Sequence, residues 1–355
     1  MLGGQQRFEQ HYLAVFAHPV IQTEKGDREM REKEFREYLR EREQGDAQIE
    51  KDVEAVRGFE GELEAEGNAI ESATLDDLRE YLALLVSRRE NSLDRLVALA
   101  RYFYATDRND LYIYFTSILG GRTVLPSISA RLESLVDEET MKRVFDGVEM
   151  PPLGSPPENI PYVTQRLMER LQEELPPEIY RRVLAGNHHR IPLEAFDGLK
   201  KLYEESESID EFLRKRHGRA VADLEEHLAE GKVWYEQEIT PRVVEFVRGN
   251  QEVLGGVRRG DKIYFTKIPY DPDAYLGEED PVMKRYHACH CPLARSSIIT
   301  GEPEVSPEWC YCSGGYGKLP FETVFGEKLD VELLESVLAG DPRCRFAVTM
   351  PEGKV

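Results

Sequence analysis

Four of the chain's five cysteines, Cys289, Cys291, Cys310 and Cys312, fall within 24 residues, and Cys344 follows 32 residues later. Five thiols in 355 residues are too few for a disulfide framework, and an odd number gathered at one end points to metal or thiol chemistry. Whatever this segment folds into has to house those sulfurs together. They sit in Tyr286-His287-Ala288-Cys289-His290-Cys291-Pro292, in Trp309-Cys310-Tyr311-Cys312-Ser313-Gly314-Gly315-Tyr316, and in Gly340-Asp341-Pro342-Arg343-Cys344-Arg345-Phe346. On a strand alternate residues share a face, so each Cys-x-Cys pair is expected to aim two sulfurs at one point. Two pairs then offer four thiols to a tetrahedral ion, for which zinc is the first choice. The spacing is not that of a Cys-x-x-Cys zinc ribbon, and with His287 there are more candidate ligands than zinc needs. Metal ligation, a catalytic or redox thiol, and packing as small buried hydrophobes all remain open.

The thiol reading has its own basis. Cys291 precedes Pro292, a residue favoured at the first position of a helix. If 293–298 begins a helix, Cys291 is its N-cap, where free N–H groups and the macrodipole stabilise a thiolate, with Arg295 one turn on. Such a nucleophile suits attack on a thioester, thiazoline or amide carbon. No Ser-His-Asp order, phosphate loop, dinucleotide fingerprint or His-Glu-x-x-His motif is present.

Net charge narrows the partners. There are 46 Lys and Arg against 67 Asp and Glu, a balance of −21, which repels phosphate backbones and anionic lipid. No apolar run approaches the ~20 residues of a membrane span, and the opening residues lack the pattern of a secretory signal, so the expected address is the cytoplasm. A small-molecule ligand is the expected partner, nucleic acid and membrane are not, and a homodimer is allowed.

Apolar spacing predicts helices over most of the first 250 residues. Two amphipathic helices laced with i,i+4 ion pairs are expected between 27 and 67. Thr74-Leu75-Asp76-Asp77 caps the next helix, and apolar stretches run over 93–104 and 111–119. One polar helix is expected over 127–145. Five prolines between Pro151 and Pro161 read as an extended linker. Helices follow over 164–175 and 177–184, then one opened by Ser208 with a break near Gly218, then one capped by Thr240 with Pro241 first. From Glu252 the grammar changes. Residues 262–266, 309–313 and 345–349 have strand composition, with a helix expected over 330–338.

Outside the sulfurs, four residues are candidates to line a ligand site. They are Tyr316, Trp234 in a Trp-Tyr-Glu-Gln-Glu run, His189 beside His188 in a Gly-Asn turn, and Lys267 after a predicted strand.

The last fifty residues resemble the C-terminal half of the 4-vinyl reductase domain, a ligand-binding module. Cys310, Gly315-Tyr316, Phe325-Gly326, an acidic segment over 330–338 and Gly340-Asp341-Pro342-Arg343-Cys344-Arg345-Phe346 occur in that family's order. The resemblance implies zinc held by Cys310 and Cys344. The family's third ligand falls on Ser336, so Cys312 or a sulfur of the Cys289/Cys291 pair takes its place, and the fourth position falls near 287–289. The late Gly-Asp-x-x-Cys-x-Phe arrangement is also loosely similar to thiazoline-carboxylate hydrolases. The whole chain, with its "CHCPLARSSI" and "WCYCSGGYGK" segments, resembles uncharacterised bacterial proteins.

In the N-terminal part, the helices carrying "FREYLRE", "FEGEL", "TLDDLREYL" and "LVALARYFY" are similar in order to the core-binding (SAM-like) domain of tyrosine recombinases. The DNA binding this implies is opposed by charge. Residues 27–110 carry 14 basic against 23 acidic residues, and no basic stripe is visible.

The expected fold is therefore mainly α with an α+β C-terminal domain. A helical bundle occupies 1–150, a proline-rich linker with connecting helices 151–190, and a zinc-binding, vinyl-reductase-like domain 191–355. The expected function is binding or sensing of a small molecule, with zinc at Cys289, Cys310, Cys312 and Cys344. The alternative is a thiol- or zinc-dependent hydrolase of a small sulfur or nitrogen compound, using Cys291 and Arg295.

Overall fold

The computed structural model describes residues 29–353. They divide into two units, 29–120 with 150–159, and 121–149 with 160–353. The protein is mainly α, with a small antiparallel sheet in the C-terminal part. No helix among the described residues is long and apolar enough to cross a membrane.

The first unit contains α1 (Glu32–Glu41), α2 (Asp46–Ala65), α3 (Leu75–Arg88), α4 (Leu93–Ala105) and α5 (Asn109–Leu119). α3 starts where the sequence says, because Thr74 Oγ1 accepts from Asp77 N–H while the Asp77 carboxylate accepts from Thr74 N–H. The apolar faces meet around Phe35, Phe59, Phe103 and Phe115, all fully buried, with Phe103 edge-on to Phe59 and stacked on Phe115. On the solvent side, Arg36 pairs with Glu32 one turn away at 2.7 Å, as the charge pattern requires. The proline-rich segment is not a free linker. Asn91 Nδ2 donates to Leu153 O at 2.8 Å, and Gly154 lies against Leu82, Leu96 and Val86, so 150–159 is part of this unit.

The second unit begins at 121, thirty residues before the expected boundary. The expected helix over 127–145 is two helices, α6 (Val124–Leu132) and α7 (Glu138–Phe145), since Asp137 caps α7 by accepting from Thr140 N–H. Their Val124, Ile128, Leu132 and Val144 are buried with α8 (Pro161–Glu174), α9 (Pro177–Leu184), Leu293 and Trp309. This shared apolar core assigns 121–149 to the second unit. Next come α10 (Asp197–Glu204), α11 (Ile209–Glu230), which passes Gly218 unbroken, and α12 (Pro241–Arg248), capped by Thr240.

The sheet has the order β1 (Val257–Arg259), β2 (Lys262–Thr266), β4 (Arg345–Thr349), β3 (Val331–Glu335), all antiparallel. Ile263 pairs with Val348 and Phe265 with Phe346, so these four apolar side chains share one face. Short helices α13 (Pro272–Gly277), α14 (Pro281–Ala288) and α15 (Arg295–Thr300) follow β2, and α16 (Tyr311–Phe325) covers the apolar face.

Two expectations fail here. Residues 309–313 are not a strand: a 3-10 turn, Pro307–Cys310, runs straight into α16. Proline's fixed φ suits that first turn. The following Gly314, Gly315 and Gly317 let the helix lie almost in contact with its neighbours. A Cβ on Gly315 would stand 2.6 Å from the Ala185 carbonyl carbon, and one on Gly317 would stand 2.4 Å from the Phe265 ring. Residues 330–338 are not a helix but β3 and a 3-10 turn, Val337–Ala339. The β4 edge supplies the hydrogen bonds, and tertiary pairing overrides a sequence that is locally ambiguous.

Candidate functional site: a buried thiol cluster with a cationic rim

The cysteines enter from four separate segments. Cys289 ends α14, its N–H bonded to Arg285 O; Cys291 lies in the turn that follows; Cys310 closes the 3-10 turn before α16; Cys344 directly precedes β4. All five thiols are free, and only Cys291 is not fully buried. Cys289, Cys310 and Cys344 belong to one apolar core, and Cys291 packs against its edge.

Cys310 and Cys344 share a hydrogen bond. That bond, with burial, pushes the Cys310 thiol up and pulls Cys344 down, because one proton serves two sulfurs. The Val337 N–H and the charge of Lys267 favour the Cys344 thiolate further. Ser336 Oγ donates to Cys310 Sγ at 3.1 Å and accepts from Leu338 N–H. The position where the family resemblance places a third ligand is therefore a hydroxyl bonded to the first. Cys289 is pushed up by burial and by the neighbouring Cys291 and Cys344 sulfurs.

Cys312 is not with them. Residues two apart on a helix lie about 200° apart around its axis. Cys310 therefore faces the sheet-side core, and Cys312 faces the core of α6, α8 and α9 with Trp309 and Leu293. The expectation of two sulfurs converging from a strand fails because this Cys-x-Cys opens a helix. Cys289-His290-Cys291 is likewise outside any strand.

The N-cap assigned to Cys291 also falls elsewhere. α15 begins at Arg295 with Ala294 as its cap, and Cys291 contributes only its backbone carbonyl, accepting from the Ala294 and Arg295 N–H groups. Burial raises the Cys291 thiol, opposed by Trp309 Nε1, which donates to its sulfur at 3.2 Å. Arg295 does not face the thiol as a helix neighbour; its guanidinium stands 4.0 Å from the Tyr270 ring centroid and 4.1 Å from that of Tyr286. His287 Nδ1 lies 3.4 Å from the Asp271 carboxylate and has no hydrogen-bond partner.

The chemistry of the donor set suits a thiophilic ion: three neighbouring thiols, Cys289, Cys310 and Cys344, with Cys291 at their edge. They stand as neighbours and not at bonding separation. Among the described residues no group of three or more His, Cys, Asp or Glu side chains is placed to hold a metal.

Three of the four ligand-lining candidates come together beside this cluster. Lys267, whose N–H bonds to Cys344 O, sends its Nζ to Ser313 Oγ at 3.0 Å and lies 5.4 Å from the centroid of the Tyr316 ring. The His189 ring meets Tyr316 edge-on at 5.6 Å. Burial and the Lys267 charge hold His189 down at about 4, so it is neutral at physiological pH. Tyr316 is 40% exposed, yet desolvation pushes its phenol up to about 12, which describes a side chain at the mouth of a recess. Trp234 lies apart: its indole N–H bonds to Asp223, and it packs with the α11–α12 core. Trp234 and Gln237 pair across a tight turn whose tip, Tyr235-Glu236, is the part electrostatically coupled to Tyr316. Arg216, which the sequence hides in a basic run on α11, also faces Tyr316.

Residues 272–355 match the model of a family of unknown function, DUF6144. They include all five cysteines, β3, β4 and α16, and exclude Lys267, Arg216 and His189. No curated protein and no solved structure matches the chain.

Proposed function

We propose that the chain is a zinc-containing protein that binds, and as a sensor responds to, a small molecule. Cys289, Cys310 and Cys344, with Cys291 beside them, are the residues that would hold the metal. The observation that carries this reading is the hydrogen-bonded pair Cys310 and Cys344. Their thiols come from segments 34 residues apart and meet in an apolar core. Bound there, zinc would keep the thiolates deprotonated and cross-link α14, the start of α16 and β4. The protein's own part is to present the sulfurs from rigid elements, to hold Cys310 with the Ser336 hydroxyl, and to exclude water with Trp309 and the apolar core. The test is metal analysis of the purified full chain, followed by cobalt substitution read by thiolate charge-transfer absorption. About one equivalent, lost in Cys344→Ser, is expected. Less than about half an equivalent with no cobalt band overturns the reading.

The second reading, a thiol- or zinc-dependent hydrolase of a small sulfur or nitrogen compound, is supported by Cys291 being the one cysteine that is not fully buried. Its raised thiol is the point against it. Rapid alkylation confined to Cys291 at neutral pH would favour this reading over the first.

A further inference from the structure

Carboxylates outnumber cations in this chain by 67 to 46, and buried or half-buried cations of the second unit characteristically use them. Lys318 pairs with Glu322 at 3.0 Å, Arg345 with Glu252 at 2.7 Å, Arg343 with Glu335 at 2.7 Å and Arg258 with Asp210 at 2.8 Å. Lys267 and Arg216 break this habit. Both are half-buried, and neither has a carboxylate within ion-pair distance among the described residues. Lys267 Nζ has only the Ser313 hydroxyl and the Tyr316 ring. Arg216 Nη1 donates to Gly255 O at 3.1 Å, its guanidinium lies 4.8 Å from the Phe321 ring centroid, and its remaining N–H groups are neither bonded nor sealed from solvent.

Both cations face the same half-exposed phenol, Tyr316, with neutral His189 on its edge. Glu236 also acts on Tyr316 and is not ion-paired to either cation. A half-buried cation without a partner is a cost to the folded state, and such costs persist where a ligand supplies the missing charge. The fork of Arg216 matches a planar carboxylate, the Lys267 ammonium offers a second positive contact, and the Tyr316 hydroxyl is a donor.

We infer that the recess around Lys267, Arg216, Tyr316 and His189 is a binding site for a small organic carboxylate. This rests on the small-molecule part of the reading above and is independent of the metal. The cations bind the carboxylate, and the rings of Tyr316, His189 and Phe321 take the adjoining apolar carbon atoms.

The test is thermal unfolding of the full chain at constant ionic strength with millimolar butyrate, its neutral isostere butyramide, or inorganic phosphate. Butyrate is expected to raise Tm by about 2–4 °C and the others to do less. The gain should vanish in Lys267→Met/Arg216→Met and survive in Lys267→Arg. The double Met variant, relieved of two unpaired charges, should unfold no lower than the wild type without ligand. Equal effects of butyrate and butyramide overturn the inference, as do no effect of either, phosphate exceeding butyrate, or a butyrate gain that survives the double variant. Metal content measured on the same samples separates this result from the zinc reading, since a chain without metal that responds to butyrate upholds only the carboxylate site.

Discussion

Ser336 Oγ donates to Cys310 Sγ at 3.1 Å while accepting from Leu338 N–H, so one hydroxyl both caps a 3-10 turn and orients a sulfur. Ser336→Ala removes both bonds in a buried place and is expected to cost about 1–2 kcal/mol, read by urea unfolding. If Cys310 holds zinc, the same variant weakens retention against a competing chelator by about tenfold. Ser336→Cys adds a soft donor and should strengthen retention instead. Unchanged retention in both variants would detach Cys310 from the metal.

The division between Cys310 and Cys312 gives a second expectation. Cys312→Ala leaves metal content and the cobalt spectrum as in the wild type and costs about 1 kcal/mol through lost packing in the α6–α8–α9 core. Cys344→Ala abolishes the spectrum. Loss of metal in Cys312→Ala would show that the sulfur turns toward the cluster.

His188 yields a pH dependence. It is 1% exposed, with Nε2 donating to Val183 O at 2.8 Å and Nδ1 accepting from Ser127 Oγ at 2.9 Å, an arrangement that requires the neutral ring. Burial lowers its pKa from 6.5 to about 4. Above 6.5 the ring is neutral in both states and has no effect on pH dependence. As pH falls below 6.5 the unfolded chain binds the proton and the folded chain does not, so stability is lost down to about 4 and levels off there. The full loss is on the order of 3 kcal/mol. Stability of His188→Asn should fall less steeply than that of the wild type over this window; parallel curves would contradict the assignment.

Two helical glycines should respond oppositely to alanine. At Gly315 the new Cβ meets backbone of Ala185 and Gly186 at 2.6 Å, and a destabilisation of about 3 kcal/mol is expected. At Gly61, inside α2, nothing lies within 4 Å, and Gly61→Ala should stabilise by about 0.5–1 kcal/mol. Thermal unfolding of the pair checks whether α16 does approach α9 as closely as described.

Much of the local structure is legible in the sequence because its causes are local. The Thr74 capping box, the Thr240-Pro241 helix start, the run Pro177–Leu184 and the strand Lys262–Thr266 each follow from residues within a turn of one another. The heptapeptide around Cys344 and the Trp-Cys-Tyr-Cys segment likewise mark the region where the thiols gather. Arg216 carries no such mark, since a cation in a basic run reads as solvated until its surroundings are known.

The sequence by itself determined the helical majority, the change of architecture after Glu252, the net negative surface and the gathering of sulfur at the C-terminal end. The tertiary structure alone decided that 309–313 is helical and 331–335 a strand, that 121–149 joins the second unit, and that Cys312 turns away from Cys310. The reason is range. Caps and periodicity are set by neighbours in the chain, whereas a strand needs the edge of another strand. A sulfur's company depends on which core its helix face meets, and an unpaired cation is recognised only once every carboxylate around it has been placed.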